Sequence, residues 1–188
     1  MRYAKPLLLL TLLASLQGCF PVVATGVGAS AMLAADRRTS GIYVEDESIE
    51  NKVLIEIANK FKSRVHVNAT SYNRRVLLTG EVPDAAAKEE IGKIAAGAEN
   101  VREVVNELEV HGISSLSSRG NDTAVTANVK LRFLDSNEFR ANHVKVVTER
   151  GTTYLLGLVY RKEADIAVDI ASGTKGVNKV VKVFEYLD

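Results

Sequence analysis

The sequence predicts an α+β fold built twice: two tandem αββαβ units, each a three-stranded mixed sheet with two helices. Three observations predict it. The chain repeats itself at a spacing of 76 to 77 residues. Val76-x-Leu78-x-Gly80-x-Val82 recurs as Thr153-x-Leu155-x-Gly157-x-Val159, and Gly97 with Val101, Val104 and Val105 recurs as Gly173 with Val177, Val180 and Val181. A repeat of this length fixes the architecture before any single element does. Apolar residues also recur at every fourth position at the head of each copy, and they alternate in the segments that follow.

At the head of the first copy Ile49, Val53, Ile57 and Phe61 share one helix face, and Val125, Val129 and Phe133 do so in the second. Asp46 and Asp122 precede these runs at matched places and read as N-caps or first-turn acids. Val65-x-Val67-x-Ala69 and Val144-x-Val146 then alternate, as do the stretches around Gly80 and Gly157. Tyr72-Asn73-Arg74-Arg75 and Glu149-Arg150-Gly151-Thr152 lie between them as turns, so each pair is an antiparallel hairpin.

After Pro83-Asp84 an alanine-rich helix runs from about Ala85 to Ala96. Its counterpart runs from about Lys162 to Ala171, and Gly97 and Gly173 are placed to stop them. Val101 to Val110 and Val177 to Tyr186 alternate as final strands. A strand, a helix and a strand in succession return the last strand parallel to the one before the helix, which makes each sheet mixed. A unit of about 65 residues is near the lower limit of a self-sufficient core, which favours packing of the two copies on each other.

The N-terminus has a separate logic. Met1 to Lys5 carries two positive charges, and Pro6 to Leu16 is almost wholly apolar. This is the charged head and short apolar run of an export signal, far below the roughly 20 residues of a membrane span. It ends in Leu16-Gln17-Gly18-Cys19, which resembles the lipobox of bacterial lipoproteins. The resemblance implies that residues 1–18 are removed and that Cys19, the one cysteine of the chain, becomes an acylated N-terminus. Two or three acyl chains hold a protein on a membrane essentially permanently. Phe20, rather than Asp, follows the cysteine, which by the sorting rule of such lipoproteins implies the outer membrane.

Residues 19–41 read as a tether, or alternatively as an N-terminal element packed on the domains. Residues 42–110 are the first unit, 111–121 a serine- and glycine-rich linker, and 122–188 the second unit.

The αββαβ order, Leu-x-Gly-x-Val before the second helix and the closing Gly, Val and paired valines resemble the BON domain. Two such copies behind a lipobox resemble the dual-BON lipoproteins of the outer membrane. That resemblance implies a non-enzymatic periplasmic protein that supports envelope integrity, recognises anionic phospholipid and gathers at division sites.

Other chemistry is not encoded in the spacing. His66, His111 and His143 have no i,i+4 pair and no neighbouring cysteine, so they read as edge or surface histidines and not as a metal site. No nucleophile elbow, phosphate loop or dinucleotide fingerprint is present, and no cofactor is implied. The chain has 24 basic and 23 acidic residues, a balance that excludes a general nucleic-acid binder.

Charge separates the copies. Residues 46–110 hold 9 bases and 12 acids, and residues 122–188 hold 10 bases and 9 acids. The helix predicted from Thr123 to Leu134 has Lys130 and Arg132 and no acid, with Ala127, Leu131 and Leu134 off its core stripe. Apolar side chains beside basic ones suit acidic headgroups. Ala124, Ala127, Asn128, Lys130, Leu131, Arg132 and Leu134 are the candidate contacts for phosphatidylglycerol or cardiolipin. Packing of Leu131 and Leu134 against the sheet or the other copy is the competing arrangement. The competing function is a structural adaptor that binds an envelope-assembly or cell-wall regulatory protein. There is no tryptophan to serve as an interfacial anchor.

Overall fold

A computed structural model of the chain describes residues 36–136 and 138–188. Cys19, the signal and most of the expected tether lie outside the described residues. The first copy runs α1 (Ser40–Phe61), a 3-10 turn (Lys62–Arg64), β1 (His66–Tyr72), β2 (Arg75–Val82), α2 (Ala85–Gly97), β3 (Glu103–Asn106) and β4 (Glu109–Val110). The second runs α3 (Leu116–Ser136), a 3-10 turn (Ala141–His143), β5 (Val144–Glu149), β6 (Thr152–Val159), α4 (Arg161–Ser172) and β7 (Lys179–Tyr186).

This is αββαβ twice. β2 lies between β1, to which it is antiparallel, and β3 and β4, to which it is parallel. In the same way β6 is antiparallel to β5 and parallel to β7. β3 and β4 are one strand path interrupted at Glu107 and Leu108. Leu108 is fully buried, and Glu107 N still donates to Leu78 O at 3.0 Å, so the break leaves the pairing direction intact.

Two expectations about helix starts are corrected. Thr39 caps α1, its hydroxyl accepting from Ile42 N at 3.3 Å. α3 begins at Leu116, inside the expected linker, where Ser115 Oγ accepts from Ser118 N at 3.1 Å. A serine- and glycine-rich stretch reads as a loop because these residues are poor in helix interiors, yet a hydroxyl at the right place is a good cap.

Asp46 and Asp122 are therefore not caps. Both are buried well inside their helices and hold the hairpin turns. Asp46 accepts from Asn73 N and Arg74 N, each at 2.8 Å, and from Ser71 Oγ at 2.6 Å. Asp122 accepts from Arg150 N at 3.0 Å and Gly151 N at 2.9 Å. Those turn residues have positive φ, 52° and 64° in the first copy and 49° and 73° in the second. Two-residue turns of this kind match the twist of antiparallel strands but leave turn amides to be satisfied, and the buried aspartates do that.

Each sheet is covered on both faces. Ile49, Val53, Ile57 and Phe61 of α1 and Ile91, Ile94 and Ala95 of α2 meet Ala69, Val76, Leu78 and Val82. Val129, Phe133, Ala164, Ala167 and Ala171 meet Val144, Val146, Leu155 and Val159 in the second copy. The opposite faces meet each other: Tyr72 and Leu77 form one cluster with Tyr154, Leu156 and Val183. The order of layers is helices, sheet, sheet, helices, within one unit that spans residues 33–188.

Polar bonds cross the same junction. Arg75 Nη1 donates to Phe184 O at 2.9 Å, and Lys145 Nζ lies 2.8 Å from Glu50 Oε1. Covering on both faces buries every residue of β2 from Val76 to Val82, the polar Thr79 and Glu81 included.

The last residues of the expected tether are packed. Arg37 reaches Leu158 O at 2.7 Å and Glu163 at 2.6 and 2.8 Å, while Arg38 binds Asp46 at 2.8 Å beneath the rings of Tyr43 and Tyr72. Burial, foremost, pushes the Tyr72 hydroxyl up to about 12.

Candidate functional site

α3 buries Asp122, Val125, Val129 and Phe133. Every candidate phospholipid contact lies on its exposed surface: Ala124, Ala127, Asn128, Lys130, Leu131, Arg132 and Leu134. Leu131 is 58% and Leu134 62% exposed, so neither packs inward or against the other copy.

Positions 116, 120, 124, 127, 131 and 134 advance in steps of three and four and are all exposed. They form an outward stripe of Leu116, Gly120, Ala124, Ala127, Leu131 and Leu134 about 27 Å long. Leu116, 79% exposed, was hidden from the sequence reading by the linker composition around it. No helix among the described residues is long and apolar enough to cross a membrane, so an apolar face of this kind can at most lie along one.

Arg132 is exposed and also makes bonds that the spacing does not announce. Its Nη1 donates to Ile170 O at 3.0 Å and Thr174 Oγ1 at 2.8 Å, closing the end of α4. A last-turn carbonyl attracts a cation, and this one is supplied from a neighbouring helix. Lys130 is left as the basic residue beside the apolar stripe.

His111 is exposed and His66 lies on the edge strand β1, as expected, but His66 and the buried His143 both have carboxylate partners. His66 and Glu81 are cross-strand partners in the β1–β2 register, and Nδ1 lies 2.9 Å from Glu81 Oε2. Glu149, at the end of β5, approaches His66 from the second copy and accepts from Asn68 Nδ2 at 2.9 Å. Burial pushes the Glu149 carboxyl above the ordinary range, with His66 and Asn68 pulling the other way.

His111 faces Arg150 at 3.3 Å, and His143 is buried 3.5 Å from Glu163. Burial, then Arg37, hold His143 below the ordinary imidazole range, while Glu163 opposes them. These groupings join residues 15 to 83 positions apart, through strand pairing and sheet stacking, which a search for short spacings does not reach.

The BON domain family model matches residues 45–112 and again residues 121–188. The chain is 42% identical over 175 residues to the outer membrane lipoprotein DolP of Haemophilus influenzae, covering 92% of this chain and 91% of that protein. It is 35% identical over 154 residues to a 21 kDa hemolysin of Actinobacillus pleuropneumoniae, covering 81% and 79%. It is 32% identical over 145 residues to the osmotically inducible protein Y of Escherichia coli, covering 74% and 72%. With αββαβ units at both matched segments, the chain belongs to the BON domain family and carries the domain twice.

Proposed function

We propose that this protein is a lipid-anchored binding module of the outer membrane, held by acylated Cys19 on the periplasmic face, whose second BON domain lays α3 against anionic phospholipid. The observation that carries the reading is the exposed apolar stripe from Leu116 to Leu134, with Lys130 beside it. Each aliphatic side chain withdrawn from water contributes roughly 1.5–3 kcal/mol when fully buried, and a base near an anionic surface contributes about 1 kcal/mol. Tethering raises the local concentration, so a weak intrinsic affinity suffices. The similarity to the lipoprotein DolP supports the membrane assignment. Support of envelope integrity at division sites, through binding and not through catalysis, is the wider role implied by the family resemblance.

The test uses the unlipidated unit from Leu33 to Asp188 with vesicles that contain phosphatidylglycerol, compared with neutral ones. Binding to the anionic vesicles that weakens with salt and is lost in Leu131→Glu supports the reading. Because Leu131 is exposed, this variant keeps its fold, which circular dichroism checks. Undiminished binding by the folded variant would sink it and favour an adaptor for an envelope protein. For the anchor, Cys19→Ser must release the chain from the membrane fraction.

A further inference from the structure

Where the two domains meet, His66 of β1, Glu81 of β2 and Glu149 of β5 converge, and one ligand atom from each lies within 4.8 Å of the others. The side chains of Glu81 and Glu149 are 0% and 7% exposed. In each carboxylate one oxygen is oriented by neutral donors. Glu81 Oε2 accepts from Ser114 N at 3.3 Å and Ser114 Oγ at 3.2 Å, and Glu149 Oε2 from Asn68 Nδ2. The other oxygen of each, Oε1, is buried and accepts no hydrogen bond. Arg150 Nη1 is 3.9 Å from Glu81 Oε1, but Arg150 is held closer by Glu109, at 3.0 Å, and so compensates Glu81 only in part. A buried carboxylate oxygen without a donor costs free energy that a cation relieves.

We propose that His66, Glu81 and Glu149 bind one divalent metal ion of the zinc class across the junction of the two BON domains. An imidazole with two carboxylates is a three-ligand nitrogen and oxygen set for zinc, with a fourth position left for water. Calcium takes six or more oxygens, and magnesium demands octahedral oxygen geometry, so neither fits a set with an imidazole and only two carboxylates.

Zinc bonds of about 2.0–2.2 Å place tetrahedral ligand atoms about 3.4 Å apart, so the three side chains close by at most about 1.4 Å on their longest edge. His66 and Glu149 also line a polar cavity of about 210 Å³ with Asn68, Arg119, Asp122, Thr123 and Thr148, through which the ion and its water enter. Ser114 and Asn68 supply the outer-shell donors that orient the two ligating carboxylates, and the ion replaces the hydrogen bond between His66 Nδ1 and Glu81 Oε2. Two carboxylates and a neutral imidazole match the charge of the ion, and the bound ion staples one domain to the other.

The experiment titrates zinc chloride into the full chain in detergent micelles, after removal of metal by a chelator. Calorimetry and metal analysis are expected to give one ion per chain. Melting temperature is expected to rise with zinc and not with magnesium, as mass action requires of a ligand that binds only the folded state. Glu149→Gln and His66→Gln are each expected to weaken binding at least tenfold, while His111→Gln keeps it. In the wild-type chain zinc is expected to shift the ring-nitrogen resonances of His66 and to leave those of His143. That readout stands even if a variant unfolds. Absence of saturable binding by the wild-type chain overturns the proposal. So does undiminished binding by folded Glu149→Gln, or a resonance shift confined to His111.

Discussion

α1 and α3 are the same helix built twice, and they differ on one side only. Inside, Asp46, Ile49, Val53 and Ile57 of α1 match Asp122, Val125, Val129 and Phe133 of α3 in position and burial. Outside, the stripe of α1 reads Ser40, Val44, Ser48, Asn51, Ile55 and Ala58, whereas α3 presents Leu116, Gly120, Ala124, Ala127, Leu131 and Leu134. Ile55 and Leu131 are matched and similarly exposed, at 61% and 58%. What differs is the company: three polar side chains interrupt the first stripe and none interrupts the second. α1 carries five acids and two bases, and α3 two acids and three bases. A duplicated fold constrains the inward face of both copies equally, so a difference confined to the outward face marks the place where the copies do different work.

The largest effects test the part the two helices share. Asp46→Ala strips the first turn of a buried acceptor for three neutral donors and Arg38, and should destabilise by about 4 kcal/mol in urea denaturation. Asp122→Ala removes two backbone partners and should cost about 2 kcal/mol. Equal losses would show that the two aspartates are not graded by their partners.

Next is Gly157→Val in β6, expected to lower stability by about 3 kcal/mol in the same assay. A Cβ at Gly157 lies 2.3 Å from the carbonyl oxygen of His143. The obstacle is a backbone carbonyl in the turn that leads into the neighbouring strand β5. Gly80, at φ 115° with a Cβ contact of 2.1 Å to His66 O, is the matched position and tolerates a side chain no better.

The outward faces are separated by Leu131→Glu and Ile55→Glu. The first should weaken binding to phosphatidylglycerol vesicles tenfold or more, about 1.4 kcal/mol, and the second should leave it unchanged. Equal losses would break the asymmetry on which the membrane reading stands.

The smallest effect concerns pH. The depressed pKa of His143 means that the unfolded chain binds its proton more readily, below about pH 6.5. Its contribution to stability is therefore present above that pH and lost as pH falls through the window below. His143→Gln should flatten the decline of melting temperature on acidification. Glu149, with its raised pKa, contributes in the opposite sense, so Glu149→Gln should steepen it.

The architecture was legible because it is written in periods: the repeat, the four-residue helix runs and the alternating strands survive any tertiary detail. The helix starts were not, because Thr39 and Ser115 cap within segments whose composition reads as loop. Leu131 and Leu134 were legible as lying off the core stripe of α3, but the sequence leaves packing on the sheet or the other copy open, and their exposure excludes it. The bonds of Arg132 were not legible because its partners lie 38 and 42 positions away. The His66 group was invisible for the same reason. Strand register and sheet stacking create it, and neither leaves a short motif.

The bond between Arg37 and Glu163 joins residues 126 positions apart. Such a contact closes one of the longest loops in the molecule, and loop closure is entropically unfavourable until the intervening chain has already collapsed. The first domain can pair its strands as soon as it is complete, but Arg37 finds its partner only after α4 has been synthesised and docked. The Arg37 bond is thus made last, and it reaches the second domain although Arg37 precedes the first, whereas its neighbour Arg38 is held within the first domain by Asp46. A chain truncated before Glu163 would keep the Arg38–Asp46 bond and lose only the Arg37 bond, which makes the Arg37 contact a built-in report that the second domain has folded.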